Sequence, residues 1–204
     1  MFRVVSIVCL VFVSVVSQLS AEIKLPNVLG DNMVLQRNKP ITVWGWADAG
    51  EKVDVSFADE KVSTKADGEG NWQVSLKAQK ANAKAQDLTI GNITLKNILV
   101  GDVWLGSGQS NMEWKLSNTE NAKDAIAAAT HPNIRLFHVP KVQKPKSEKD
   151  VNAKWNVCSP STVPAFSAAL YYFGKKLHQE INIPIGLINS SWGGSPIEPW
   201  FAKN

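Results

Sequence analysis

A serine in a glycine-rich turn is the first candidate for chemistry in this sequence. Residues 106–111 read Gly-Ser-Gly-Gln-Ser-Asn and follow an apolar stretch typical of a buried strand. Ser110 can then expose its hydroxyl above the sheet, where backbone N–H groups at the start of a following helix can stabilise an oxyanion. That arrangement suits acyl transfer. The alternative is that Ser110 merely caps the helix, a common place for serine.

A second glycine-rich turn, Trp-Gly-Gly-Ser at 192–195, follows another apolar stretch. Glycine lets the main chain approach a ligand closely, so the N–H of Gly193 or Gly194 could donate to the same oxygen. The sequence does not choose between these two glycines. We expect Gln109 and Asn111 to hold the serine loop in shape, either by hydrogen bonds across it or by ordinary turn chemistry.

The elements that must position both turns alternate between strand and helix. Apolar runs predict strands at 98–105, 134–139 and 185–189, and strong helix formers predict a helix at 121–130. A second helix is predicted by an apolar stripe that repeats at helical spacing. Its members are Phe166, Ala169, Leu170, Phe173 and Leu177. This order indicates an α/β doubly wound parallel sheet over residues 98–204, whose sites gather at the carboxyl ends of strands.

The preceding part of the chain follows a period of two. Short alternating runs such as Val53-Asp-Val-Ser-Phe57 and Trp72-Gln-Val-Ser-Leu76 are separated by glycine-containing turns. We therefore predict an all-β, immunoglobulin-like sandwich over residues 22–97. Residues 77–84 are polar and predict an exposed loop.

The composition is that of an ordinary globular protein, with 44% hydrophobic and 20% charged residues in 204. The formal net charge of +4 is too weak and too evenly spread to indicate a nucleic-acid partner. Eight tryptophans could stack sugars, although core packing is the default expectation for each. No carboxylates or histidines fall at the spacing of zinc ligands, so we expect neither a metal nor a cofactor.

Residues 1–21 predict a cleaved secretion signal. Arg3 precedes the apolar run from Val4 to Val16, and small residues end the segment at Ala21. The run is shorter than the ~20 residues that span a bilayer, so we expect no stable membrane anchor and a secreted or periplasmic location. Removing the segment leaves Cys158 as the sole cysteine, which excludes an internal disulfide.

Three blocks of this sequence resemble the sialate O-acetylesterase family, a branch of the SGNH (GDSL-like) hydrolases. Residues 101–114 (GDVWLGSGQSNMEW) are similar to its nucleophile block, and residues 187–200 (LINSSWGGSPIEPW) to its second block. Residues 31–37 and 43–46 resemble the β-domain that precedes the hydrolase domain. The resemblance implies an O-acetylated sugar or glycan as substrate, Ser110 as nucleophile, and an oxyanion site formed by the Ser110 N–H and the Gly193 or Gly194 N–H.

The resemblance also implies a base that this chain does not contain. A serine hydroxyl needs a base to become a good nucleophile, and the family supplies it as a histidine in a later Asp-x-x-His segment. We therefore expect the esterase domain to be incomplete at its C-terminus and inactive as given. His131, His138 and His178 are interpreted as surface residues. A non-catalytic, secreted glycan-binding β-sandwich protein is the alternative, and the sequence does not indicate an oligomeric state.

Overall fold

The computed structural model describes residues 22–200, so the predicted secretion signal at 1–21 lies outside the described residues. The helices in this range are α1 (Ser110–Glu113), α2 (Ala122–Ala127) and α3 (Ala168–Ile181), with 3₁₀ turns at Leu116–Asn118 and Glu198–Trp200. The strands are β1 (Val34–Gln36), β2 (Ile41–Trp46), β3 (Lys52–Phe57), β4 (Glu60–Lys65), β5 (Asn71–Leu76), β6 (Asn82–Ile90), β7 (Ile93–Gly108), β8 (His131–His138), β9 (Trp155–Cys158) and β10 (Ile185–Ser191). In the described part of the chain, no helix is long and apolar enough to cross a membrane.

The strands form one large mixed sheet and one small sheet. The large sheet has the order β4-β3-β6-β7-β10-β8-β9, and β1 also pairs with β7. Its first strands run antiparallel, whereas β7, β10 and β8 are parallel neighbours. Strands β2 and β5 pair only with each other, in a two-stranded antiparallel sheet. The architecture is therefore a mixed β-sheet with few helices.

Strand β7 joins the antiparallel and parallel parts of the large sheet. Residues near its start pair with β6, and the segment from Asp102 to Gly108 pairs in parallel with β10. The two regions meet at Gly101, where a Cβ atom would lie 1.9 Å from the carbonyl oxygen of Pro184. The Asp102 N–H donates to that same carbonyl at 3.0 Å. Only glycine leaves room for this contact, which seats the start of β10 against β7.

Two hydrophobic clusters fill the interior. The first is dominated by residues of β1–β7, such as Val43, Val53 and Trp72, with Phe137 and Trp155 added from later strands. The second lies between the parallel strands and α3 and includes Leu170, Tyr171, Ile185 and Leu187. The tryptophan expectation is wrong for most of the eight. Only Trp72 and Trp155 are buried, whereas Trp44, Trp104, Trp114 and Trp200 are at least 37% exposed.

Arg135 on β8 connects the parts of the sheet that the two clusters stabilise. Its guanidinium is buried and donates to the carbonyls of Asn32 (3.0 Å), Asn97 (3.1 Å) and Pro132 (2.8 Å). Asn32 and Asn97 both adopt positive φ, and their carbonyls converge on the same Arg135 nitrogen. Burial lowers the pKa of Arg135 to about 10, so the group remains a cation at neutral pH.

Several predicted elements need correction. The polar segment that starts at Asn82 is a strand rather than a loop, because it pairs between β3 and β7 and buries only Leu88 and Ile90. Strand β7 runs from Ile93 to Gly108 and so begins before the strand predicted at 98–105, and β9 was missed. Helix α3 buries a face shifted from the predicted stripe: Ala169 and Phe173 are exposed, and Tyr171 is buried.

The local sequence explains where α3 begins and ends. The Ser167 hydroxyl accepts a hydrogen bond from the Leu170 N–H at 3.2 Å and so caps the first turn. Asn182 takes a left-handed conformation at the end, and Pro184 follows. The helix packs closely on the sheet at Gly106, where a Cβ would lie 2.9 Å from Leu170 Cδ2. It thus forms the support beneath the end of β7.

Candidate active site

Ser110 lies at the carboxyl end of β7, at the first residue of α1, and is exposed. The turn that presents it requires glycine, because Gly108 has a φ of +125°. The Glu113 N–H donates to the Gln109 carbonyl at 2.9 Å, and the Trp114 N–H donates to the Ser110 carbonyl at 3.0 Å. These two bonds close the single helical turn of α1 and hold the Ser110 backbone above the sheet.

The second glycine turn lies directly beside the first. Strands β7 and β10 are parallel neighbours with Ser191 opposite Gly108, so both turns leave the same edge of the sheet. The Trp192 N–H donates to the Gly108 carbonyl at 2.9 Å. A Cβ atom on Gly193 would lie 3.6 Å from Ser110 Cα. The structure therefore brings together the serine and the glycines that the sequence predicts.

Glu113 connects the two turns, and sequence reasoning missed it. Its Oε2 accepts a hydrogen bond from the Gly193 N–H, and its Oε1 forms an ion pair with Lys141. The Lys141 ammonium and, to a lesser degree, the Gly193 N–H hold the pKa of the Glu113 carboxyl below its usual range. The residue stands three positions after Ser110 in the resembling block, but its Gly193 partner is 80 residues away. No local pattern predicts such a contact.

Gln109 contributes to the loop through its backbone carbonyl, but the side chains of Gln109 and Asn111 do not bond across the loop. Both side chains are exposed, and neither makes a hydrogen bond within residues 22–200. The loop is anchored instead by Met112, whose sulfur accepts a hydrogen bond from the Ser167 hydroxyl at 3.5 Å. The backbone also contributes, since the Ala168 N–H donates to the Trp114 carbonyl at 2.8 Å.

Ser110 borders two shallow surface pockets. One has a volume of about 330 Å³ and the other about 460 Å³. The first is lined by Ser110, Glu113, Trp114, Lys115, Asn118, Lys141 and Gly193. Trp114 is 55% exposed there, and its indole N–H donates to the Asn118 carbonyl at 3.2 Å. The pocket thus offers an aromatic face and two lysines beside the serine hydroxyl.

None of the three histidines lines these two pockets. His131 is half-buried, with its Nε2 3.5 Å from the Tyr171 hydroxyl, and His178 contacts the Ile183 carbonyl through Nδ1 at 2.6 Å. His138 is exposed at the end of β8 and contacts the ring of Phe166. The ring itself is partly shielded from water on its Phe166 side, and this desolvation, aided by the nearby charges of Lys115 and Lys141, lowers the pKa of His138. Within the described residues, Ser110 therefore lies beside the glycine turn, and no histidine lines the two pockets around it.

A carbohydrate esterase family model, described as sialic acid-specific acetylesterase, matches residues 100–204. The chain belongs to this carbohydrate esterase family. The matched segment begins just before the nucleophile block and includes both glycine turns. The mixed sheet with few helices is consistent with a carbohydrate esterase fold.

Individual relatives agree with the family match. The chain is 30% identical to the sialate O-acetylesterases of Rattus norvegicus and Homo sapiens, over 88% and 87% of its length and 38% of theirs. It also superposes on the crystal structure of a carbohydrate acetylesterase from Xanthomonas citri with a TM-score of 0.83 and 37% identity, covering 88% of this chain and 43% of that one. The chain thus spans about two fifths of the length of these proteins.

Proposed function

We propose that the protein to which this chain belongs hydrolyses acetyl esters on sugars, with Ser110 as the nucleophile. One observation carries the proposal: Ser110 is exposed at the carboxyl end of β7, and the Gly193-Gly194 turn of the adjacent strand is tied against its loop. A serine hydroxyl can attack an ester when backbone amides lie close enough to stabilise the negative charge that develops on the ester oxygen. Because the matched relatives are named as acetylesterases, the glycan-binding alternative is not favoured.

The reaction proceeds through an acetyl-serine. Ser110 Oγ attacks the acetyl carbonyl carbon and loses its proton to a base. The sugar oxygen then leaves as the hydroxyl, and water cleaves the acetyl-serine to release acetate. The Ser110 N–H and one amide of the glycine turn stabilise the oxyanion. The Gly193 N–H is bound to Glu113, so the Gly194 N–H is the amide that an ester can meet without displacing Glu113.

The base is proposed to come from outside these 204 residues. The sequence has no Asp-x-x-His segment, and no histidine lines the pockets at Ser110 in the part of the chain that the structure describes. The resemblance to the family supports this proposal, because that family's base is a histidine in such a segment.

The finer domain architecture is also a proposal. We infer an immunoglobulin-like sandwich over 22–97 and the first part of a doubly wound SGNH-type domain over 98–204. The separate β2–β5 sheet, which shares the first hydrophobic cluster with β3, supports the sandwich. The parallel order β7-β10-β8, with α3 packed on it, supports the second assignment. Export, directed by residues 1–21, is proposed from the sequence of that segment alone.

A Ser110→Ala variant of the full-length gene product tests the proposed nucleophile. We expect kcat for release of acetate from O-acetylated sialic acids and O-acetylated xylan to fall about 10³-fold or more, because the variant lacks the hydroxyl that attacks the acetyl carbonyl. Ser75→Ala, an exposed serine on β5, is the matched control and should retain wild-type activity. A Ser110→Ala enzyme that keeps its rate on every ester tested would exclude this nucleophile.

A further inference from the structure

The Glu113 carboxylate lies between Ser110 and the second glycine turn, where its charge and its contacts can affect the proposed reaction. It lies on the pocket that Ser110 borders, and its side chain is 25% exposed. One oxygen holds the Gly193 N–H, and the other holds Lys141. Both carboxylate oxygens therefore have partners, one in the second glycine turn and one at the start of the basic loop that follows β8.

The contact with Gly193 leaves the turn little freedom. A Cβ atom on Gly193 would lie 2.8 Å from Glu113 Oε2 and 3.6 Å from Ser110 Cα, so the turn sits flush against the nucleophile loop. The neighbouring bond from the Trp192 N–H to the Gly108 carbonyl fixes one side of the turn. Glu113 fixes the following residue, Gly193, by accepting a hydrogen bond from its N–H.

We propose that Glu113 is a positioning residue for the oxyanion-binding turn. It holds Gly193 so that the Gly194 N–H, which has no acceptor within residues 22–200, meets the ester oxygen above Ser110, and Lys141 offsets the charge of Glu113. This inference rests on the proposed esterase function. It deepens that function by assigning a role to a carboxylate and an ammonium group that do not react.

The charge of Lys141 is needed for an electrostatic reason. A carboxylate beside Ser110 opposes the negative charge that develops on the ester oxygen, and in a partly desolvated site that opposition is stronger than in water. The Lys141 cation, paired with Glu113, cancels most of it. A neutral acceptor at position 113 would hold the Gly193 N–H equally well and would not need the lysine.

Two variants of the full-length enzyme separate positioning from simple structural support. Glu113→Ala removes the acceptor, and we expect kcat on an O-acetylated sugar to fall about 10- to 100-fold while KM changes less than about twofold, since small displacements of catalytic groups have effects of that size. Glu113→Gln keeps a carbonyl oxygen for the Gly193 N–H and should stay within about threefold of the wild-type kcat. A merely structural residue would not give this pattern.

The role of Lys141 is tested in the wild-type enzyme and in the Glu113→Gln variant. Lys141→Met should lower kcat in the wild-type enzyme, because it leaves the carboxylate uncompensated, but should have no effect when combined with Glu113→Gln. Lys144→Met is the matched control, since Lys144 lies on the same loop and pairs with Glu148 instead. This comparison of the two single variants, Lys141→Met and Glu113→Gln, with the double variant does not use Glu113→Ala. It therefore gives a result even if Glu113→Ala does not fold.

Clear outcomes overturn the proposal. A Glu113→Ala enzyme with unchanged or higher kcat would show that the carboxylate does not position the turn, and a rise would show that it obstructs an oxyanion donor. Equal effects of Lys141→Met in the Glu and Gln backgrounds would reject the charge argument. Ser110→Ala is assayed in parallel. If Ser110→Ala keeps its activity, the proposed function itself is wrong; if Ser110→Ala is inactive, the results above bear on the role of Glu113 alone.

Discussion

Gly193 shows how one missing side chain brings the two turns of this site together. Its φ is not in the left-handed region, so backbone conformation alone would allow alanine there. The space around it would not, because a Cβ atom would meet Glu113 Oε2 at 2.8 Å. Gly194 has the opposite property, with open space around it but a φ of +75°. The paired glycines therefore meet two separate requirements of one turn.

Substituting Gly193 should damage activity more than stability. We expect Gly193→Ala to push the turn away from Ser110 and to reduce kcat about 10- to 100-fold, measured on an O-acetylated sugar with the full-length enzyme. Gly68→Ala is the control, since a Cβ there meets no atom within 4 Å and the residue has no positive φ. Wild-type kcat in Gly193→Ala would mean that the second turn does not take part in catalysis.

At the scale of elements, the alternating strands were predictable and the exceptions have physical reasons. Val53, Val55 and Phe57 are buried at every second position, as the pattern predicted. Strand β6 was not predictable, because a segment paired on both sides by other strands can be stable with few apolar residues of its own. The α3 face was displaced because Phe173 packs edge-to-face on the exposed Trp104, at 5.1 Å between ring centroids, rather than in the core.

The candidate site was predictable only where its residues are close in sequence. The serine loop and the glycine turn each carry a local signature, and their adjacency followed from the parallel strand order. The roles of Glu113 and Lys141 depend on contacts between segments that are far apart in sequence. Such contacts arise from tertiary packing, which no residue pattern within one segment encodes.

The close contact between β7 and the start of β10 predicts that a side chain at Gly101 would destabilise the fold. Gly101→Ala should lower the free energy of unfolding by about 1–3 kcal/mol, because its Cβ would fall 1.9 Å from the Pro184 carbonyl oxygen and the backbone of one strand must move. Urea unfolding followed by tryptophan fluorescence measures this change, with Gly68→Ala again as the control. A difference within about 0.5 kcal/mol of the wild-type value would contradict the close contact.

At the scale of the whole molecule, acid should destabilise the fold before the carboxylates titrate. Partial desolvation of the imidazole ring lowers the pKa of His131 below its ordinary 6.5, and it does the same for His138. The unfolded chain then binds these protons more readily than the folded chain. The associated stability is present above pH 6.5 and is lost as the pH falls toward the lowered pKa values.

This effect is measurable as a shift of the urea midpoint between pH 7.5 and pH 5.5. We expect the midpoint to decrease over that interval, and His131→Gln to make the decrease smaller, since His131 contacts the buried Tyr171. His178→Gln, a substitution in the last turn of α3, is the comparison variant. A midpoint that does not change with pH in the wild-type protein would refute the expectation.

Strand β7 finally bears on how separable the two predicted domains are. The proposed boundary at residues 97 and 98 falls inside this single strand, whose backbone hydrogen bonds serve β6 and β1 as well as β10. Excising either half at that boundary would sever a strand midway and uncover apolar side chains such as Leu99 and Val100. The part bearing Ser110 would therefore begin with an unpartnered edge, and the part before residue 98 would lose the segment of β7 that pairs with β1.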